Sequence, residues 1–371
     1  MDYLKTLRKQ LLDKILLSTP SDRLAFSPFI DFIEEKKLNE TTYLEYIKRI
    51  AKYNIDETSG SKYWKQTAQK RNITKRKINA VRSIEELLSL MGDADYSLLQ
   101  SNSGYTTWYK PKQVKPSKLF QSFSSGTTGQ PKMVMHHNLS LFASAINEYV
   151  GISASINTKL LKNTSFLSLG PFGAYQKAHE HLSSLLSSRY VDLGFDTKGI
   201  KLLSPDELKL RINQIMLKAS LEIETGNAGI LTGTPDIVLS DPGVFKSVQA
   251  FKFSGVGLTT EILHRISEIT DRPAIPSYGH FAGMASIGFD SSDSYGHQSK
   301  ITYYPPFPFT NLFVVNEELK ERVDYGQRGR IVMIVAKPEL FLIKSEDYAV
   351  REKPKAPFHG IDGISDVSRS P

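Results

Sequence analysis

The densest chemistry in the chain lies in ten residues, Phe123-Ser124-Ser125-Gly126-Thr127-Thr128-Gly129-Gln130-Pro131-Lys132. They place four hydroxyl side chains, two glycines and a lysine in one loop. Glycines let backbone N–H groups approach anionic oxygens, hydroxyls add donors and a lysine adds a compact charge, so the composition suits a polyphosphate. A Walker-type loop is excluded, because Lys132 follows Gly129 by three positions and Met133 stands where that loop needs Ser or Thr. The alternative without chemistry is a Ser/Thr/Gly surface loop.

Other residues carry weaker signals. Ser254-Gly255-Val256-Gly257 reads as a strand-to-helix turn, and Ser277-Tyr278-Gly279-His280 offers an aromatic face for stacking. By itself, Glu346-Asp347 reads as an exposed acidic turn. His136-His137 and His179-Glu180-His181 lack the i, i+4 spacing of a helical zinc site, so they are read as helix-surface or pocket-lining histidines and no metal ligand is assigned. Between Lys62 and Arg82 stand eight cations and no acid, beside Tyr63 and Trp64. A solvated basic face is preferred there to a nucleic-acid patch, since no nucleic-acid module accompanies the run; a docking surface for CoA or an acidic carrier is a third reading.

The elements that must position these residues change along the chain. Leu4, Leu7, Leu11, Leu12 and Ile15 recur at helical spacing. Ser27-Pro28 starts a helix, Tyr43, Leu44, Ile47 and Ile50 outline another, and Ser83-Ile84-Glu85-Glu86 reads as a capping box. From Leu119 short apolar strands alternate with amphipathic helices. Strands are expected around Lys118–Phe120, Ser165–Leu169, Gly229–Leu231 and Ala250–Phe253. Helices are expected from Ser140 to Tyr149 and after Ser204-Pro205-Asp206-Glu207. After Ser299 the chain turns strand-rich, at Ile301–Tyr304, Leu312–Val315, Arg330–Val335 and Glu339–Ile343. The expected class is α/β: a layered α/β core with a helical N-terminal region and a C-terminal β-rich subdomain. The expected division is 1–116, 117–298 and 299–371.

The 371 residues are enough for one large domain or two smaller ones, and 40% hydrophobic with 23% charged is an ordinary globular balance. A formal charge of +8 favours anionic partners. No cysteine means no disulfide, thiolate nucleophile or Cys-ligated metal. There is no apolar run long enough to span a bilayer, and the charged N-terminus is not a secretory signal, so a cytoplasmic location is expected.

The loop from Ser124 to Lys132 resembles the phosphate loop of the adenylate-forming superfamily, which comprises acyl-CoA synthetases, peptide-synthetase adenylation domains and luciferases. There it reads Ser/Thr-Ser-Gly-Ser/Thr-Thr-Gly-x-Pro-Lys. Gly255 and Gly257 resemble the family's Gly-Gly turn at the base and acyl pocket. Tyr278-Gly279 resembles the Tyr-Gly-x-Thr/Ser-Glu motif, but Phe281 and Ala282 replace its last two residues, and that Glu normally helps hold Mg²⁺. Lys344-Ser345-Glu346-Asp347 lies where the family has Tyr-Arg-Thr-Gly-Asp, and Gly326-Gln327-Arg328-Gly329-Arg330 resembles the turn before its closing strands. The nearest branches by resemblance are phenylacetate–CoA ligases and the acyl-protein synthetase of bacterial bioluminescence. Ile361–Arg369 resembles the hinge before a C-terminal lid, which the chain is then expected to lack.

The resemblance implies an acid-activating ligase. ATP and Mg²⁺ would be used to turn a carboxylic acid into its acyl-adenylate, for transfer to CoA or a partner protein. It implies phosphate contacts from Ser124, Ser125, Gly126, Thr127, Thr128, Gly129 and Lys132, with Lys132 and Thr128 catalytic. Gly255, Gly257, Tyr278, Gly279 and Asp347 would hold adenine and ribose. Phe172, Ala174, Tyr175 and Phe281 would line an apolar acyl pocket. An acidic carrier protein, a reductase or a separate lid-domain subunit are the partners it suggests. The alternative is a catalytically degenerate nucleotide-binding partner subunit of an acyl-transferring complex.

Overall fold

The computed structural model describes residues 1–35, 39–99, 118–124, 131–170, 172–194, 204–225, 227–254, 258–291, 300–318 and 321–369. In chain order the first strands are β1 (Leu119–Phe123), β2 (Met133–His137), β3 (Ser165–Ser168), β4 (Arg189–Asp192), β5 (Ala228–Gly233), β6 (Ala250–Phe253) and β7 (Ala274–His280). They are followed by β8 (Met284–Ser291), β9 (Lys300–Tyr304), β10 (Thr310–Val315), β11 (Arg328–Ala336), β12 (Phe341–Glu352) and β13 (Gly363–Ser368). Two compact units divide the chain. One takes Met1, 144–279 and 285–303; the other takes 2–143, 280–284 and 304–371.

In the first unit the strands run in the order β9-β8-β7-β6-β5-β3-β4. The pairs β4–β3, β3–β5, β5–β6 and β6–β7 are parallel. Parallel neighbours need crossovers, and the helices Ala174–Leu185, Pro205–Glu224, Pro235–Ser240 and Thr260–Thr270 lie in them. Residues 165–168 and 250–253 are buried throughout, as expected of strands covered on both faces. The helix Pro205–Glu224 begins where the sequence places it. The Ser204 side chain accepts from the Glu207 N–H and the Glu207 carboxylate reaches back, a complete capping box.

In the second unit β10, β11, β12 and β13 form consecutive antiparallel pairs, and β1 and β2 form a separate hairpin. The run Ile331–Ala336 is buried on both faces. The expected N-terminal helices are present, among them Tyr3–Leu16, Ser27–Glu34, Glu40–Asn54 and Ile84–Met91. Tyr3, Leu7, Leu11 and Ile15 form the fully buried stripe of the first. Phe26 and Phe29 pack on Phe309, and Phe32 and Tyr43 on Phe307. Burying an aromatic side chain of this kind contributes roughly 1.5–3 kcal/mol. Polar tips are satisfied at the same joints: Tyr3 Oη donates to the Phe307 carbonyl and Trp64 Nε1 to the Phe341 carbonyl.

Several local expectations differ from the structure. At Ser83 only half the box forms, because the Glu86 carboxylate accepts from the Arg82 N–H instead. The helix expected over Ser140–Tyr149 extends over Asn138–Ser155. Glu339 lies in a tight turn, where Lys337 and Leu340 exchange backbone hydrogen bonds, and the strand starts at Phe341. No helix among the described residues is long and apolar enough to cross a membrane.

Candidate functional site

In open parallel sheets, ligands bind beyond the carboxyl ends of the strands. The residues singled out in the first unit lie at that edge. β3 runs into Leu169-Gly170, β5 ends at Gly233, β6 leads into Ser254, and β7 ends at Tyr278-Gly279-His280. Gly255 and Gly257 lie outside the described residues. Tyr278 is half-buried, with its ring 5.9 Å from that of Tyr303. A Cβ on Gly279 would stand 3.7 Å from Tyr175 Oη, so these two positions are adjacent. Ala174 is fully buried, Tyr175 half-buried, and Phe172 47% exposed.

Beneath this edge lies a buried polar chain that the sequence reading missed. Ser168, Thr232 and Lys252 are register partners across β3, β5 and β6 and therefore share a sheet face. Lys252 Nζ is 2.7 Å from Glu148 Oε2 and 3.3 Å from His179 Nε2, and His179 Nδ1 is 2.9 Å from Ser168 Oγ. An ammonium only donates, so His179 Nε2 accepts and Nδ1 carries the proton toward Ser168. Burial, then the Lys252 charge, hold the His179 imidazole well below its usual pKa range, in its neutral form. Ser168 Oγ also accepts the Gly170 N–H, and a Cβ at Gly170 would come within 2.9 Å of the His179 ring. The chain thus fixes the segment entering Phe172–Tyr175.

The second unit holds the loop ends and Asp347. Phe123 pairs with Met133, the Ser124 N–H donates to the Lys132 carbonyl, and the Lys132 N–H donates to Ser124 Oγ at 2.9 Å. The two ends of the Ser124–Lys132 segment are therefore tied together where β1 and β2 meet. Its residues Ser125, Gly126, Thr127, Thr128 and Gly129 lie outside the described residues. Asp347 is half-buried on β12. The strand before it is pinned by Asp93, which accepts the Ser345 hydroxyl at 2.8 Å and pairs with Lys344 at 3.4 Å.

Residues 280–284 also belong to this unit, and their turn is bonded from several elements. His280 Nδ1 accepts the Ala282 and Gly283 N–H groups, both at 3.1 Å. The three carbonyls of Phe281, Ala282 and Gly283 accept from His136 Nε2 (2.8 Å), Lys337 Nζ (3.0 Å) and Thr310 Oγ1 (2.7 Å) respectively. Lys337 Nζ also lies 3.2 Å from His136 Nδ1. Glu339 joins in, accepting the His137 N–H and the Ser140 hydroxyl. Burial pushes the Lys337 ammonium down to about 8, against the opposing charge of Glu339. It also keeps His136 neutral, with Lys337 adding to the effect. Gly283 is closely packed, since a Cβ would meet Met333 Sδ at 2.8 Å and force that side chain to shift, and Met284 adopts φ +69°. A left-handed non-glycine residue costs of order 1–3 kcal/mol and persists where its surroundings over-determine it.

His136, His137, His179 and His181 are therefore buried groups, not helix-surface ones. Among the described residues no group of three His, Cys, Asp or Glu is placed to hold a metal ion. Where the resemblance expects a metal-holding carboxylate stands Ala282, whose own carbonyl is already bonded to an ammonium. A protein-held Mg²⁺ does not fit there. In the basic run, Trp64 and Tyr63 are buried, the phenol accepting the Asp95 N–H, so neither ring is presented for base stacking. Lys75 pairs with Asp56 at 2.5 Å, and Arg71 bonds the Met91 and Ser89 carbonyls.

No protein-family model matches the chain, and no curated protein matches it. Solved structures do. An open conformation of 2-hydroxyisobutyryl-CoA ligase, in complex with 2-HIB-AMP and CoA, aligns with TM-score 0.63 and 14% identity over 88% of this chain and 73% of that one. The same ligase in its postadenylation state with 2-HIB-AMP aligns with TM-score 0.63 and 15% identity, over 88% and 66%. The N-terminal subdomain of Klebsiella oxytoca NpsA, in complex with 3-hydroxyanthranilyl-AMSN, gives TM-score 0.42 and 14% identity over 66% and 61%. At these identities the likeness to the CoA ligase is one of fold. The architecture, α/β with a β-rich second part and N-terminal helices, is the large-domain fold of adenylate-forming ligases.

Proposed function

We propose that this protein activates a carboxylic acid as its acyl-adenylate. One observation carries the reading: on this fold, the two ends of the Ser124–Lys132 segment are tied together by reciprocal Ser124–Lys132 bonds between β1 and β2. A carboxylate oxygen of the acid attacks the α-phosphorus of ATP, the bond to the β-phosphate oxygen breaks, and pyrophosphate leaves. The chain's work is positioning and charge neutralisation. Ser124, Ser125, Thr127, Thr128 and Lys132 hold the phosphates, with Gly126 and Gly129 admitting backbone donors. Gly255, Gly257, Tyr278 and Gly279 frame the base, and Asp347 accepts from the ribose. Phe172, Ala174, Tyr175 and Phe281 contact the acid. Any Mg²⁺ arrives with the nucleotide, and no step depends on a carboxylate at residue 282. The acyl group passes to CoA or to an acidic carrier protein. By resemblance the branch is that of phenylacetate–CoA ligases and bioluminescence acyl-protein synthetases.

Ala282 favours a second reading, a nucleotide-binding subunit without catalysis. ATP–pyrophosphate exchange across a panel of carboxylic acids separates the two. Acid-dependent exchange establishes the ligase; ATP binding without exchange for any acid establishes the second reading; absence of nucleotide binding removes both.

A further inference from the structure

We propose that Lys337 is a positioning residue that, through His136, locks the phosphate-loop hairpin to the 281–283 turn. The inference deepens the ligase reading and rests on it for its kinetic arm only. Three facts carry it. First, His136 Nε2 faces a carbonyl, which only accepts, so Nε2 must carry the ring proton and Nδ1 must accept. Lys337 Nζ stands 3.2 Å from that Nδ1 and so completes the only tautomer the site permits. Second, the same ammonium bonds the Ala282 carbonyl, so hairpin and turn share one buried donor. Third, Glu339, two residues on in the same tight turn, takes the next hairpin N–H, that of His137, and the Ser140 hydroxyl. The Lys337–Leu340 turn thus grips both strand β2 and the Phe281–Gly283 backbone.

The groups facing Lys337 are His136 on β2, Glu339 on its own turn, and the carbonyl of Ala282. His280 faces the His136 ring from the bonded turn. Lys337 is 1% exposed and does not reach solvent, so its effect on a nucleotide is transmitted through the elements it ties. A donor removed from such a buried chain loosens both ends together, because each bond fixes the geometry of the next.

The test uses the full chain with Lys337→Met, His136→Phe and the pair. Amide exchange is followed at 133–137 and 281–284, and ATP–pyrophosphate exchange is measured in parallel. In each single variant, exchange should accelerate at both segments, including hairpin amides that Lys337 does not touch. The kcat should fall about tenfold, the scale of one lost hydrogen bond, with a smaller change in KM for ATP. The double variant should be no worse than the worse single one, as expected for residues acting as a unit. Lys337→Arg, which keeps the donors, should recover most of the loss. Acceleration at one segment alone, a uniform rise across the protein, or additive kinetic losses would overturn the proposal. Should the wild-type protein show no pyrophosphate exchange, the ligase reading fails, and paired or unpaired amide acceleration still decides the clamp.

Discussion

Replacing Lys337 by methionine changes how stability depends on pH, and the size follows from burial. The free lysine value is 10.5, and in the fold burial lowers it to about 8. Between those values the unfolded chain binds more protons at this site than the folded one, so stability rises with pH. The contribution is complete above pH 10.5, is lost as pH falls toward 8, and stays lost below. The shift corresponds to about 3 kcal/mol. Methionine fills similar volume and carries no titrating group, so its stability lacks this rise. It also leaves two buried acceptors, the Ala282 carbonyl and His136 Nδ1, without their donor, at about 1–3 kcal/mol each. Near pH 7.5 these losses offset or exceed the relief, so the variant should unfold at a similar or lower urea concentration. By pH 10 the wild type should lead. Buried Trp64, in the same unit, reports unfolding by its fluorescence. Raised phenol values at Tyr3 and Tyr43 act equally in both proteins and drop out of the difference. A difference that stays constant from pH 7.5 to 10, or that favours the variant increasingly at high pH, refutes the assignment of a buried, shifted ammonium.

Lys132→Ala should lower pyrophosphate exchange at least tenfold while the urea midpoint stays put, because this half-buried loop lysine contributes charge and little packing; unchanged turnover would remove it from the phosphate site. Asp347→Asn should raise the KM for ATP and leave that for the acid nearly unchanged, since asparagine keeps the shape and loses the charge-assisted acceptor; equal effects on both would move Asp347 off the ribose. Lys252→Met leaves Glu148 charged and unpaired in the core and should cost about 3–5 kcal/mol in urea unfolding. Adding Glu148→Leu should restore much of the loss, and a double variant as weak as the single one would show that the ion pair is not what Lys252 contributes.

The fold was legible where local pattern and tertiary environment agree. Of Leu4, Leu7, Leu11, Leu12 and Ile15, which recur at helical spacing, Leu7, Leu11 and Ile15 are fully buried, Leu4 and Leu12 are half-buried, and Tyr3 completes the buried stripe. Ser204 with Glu207 caps a helix as its spacing dictates. β2 was not read as a strand, because Met133-Val134-Met135-His136-His137 has no turn signal of its own and its pairing partner lies across the loop. β7 was read only as a motif, since its apolar part, Ala274-Ile275-Pro276, is short and contains a proline.

For the site, the loop and the Tyr278-Gly279 end of β7 could be named from side-chain types, because hydroxyls, glycines and a stacking ring announce their chemistry. The supporting networks could not, since lysine and histidine are ordinarily surface residues and a sequence gives no distance from Lys337 to His136, some two hundred positions apart. Three signals pointed the same way all the same. Lys252 interrupts the run Ala250-Phe251-Lys252-Phe253, Glu148 is the one charge in the eighteen-residue helix Asn138–Ser155, and Lys337 closes a buried apolar strand. A charge inside an apolar element is costly unless paired, so each such residue implies a partner somewhere in the chain. Glu148 and Lys252 satisfy one another, and Lys337 takes His136, the Ala282 carbonyl and the field of Glu339. Reading lone charges in apolar elements as half of an unseen pair would have marked Glu148, Lys252 and Lys337 as partnered, without saying with which groups. The Phe281–Gly283 turn, where the resemblance expects a carboxylate and Ala282 stands, is held by donors to three successive carbonyls.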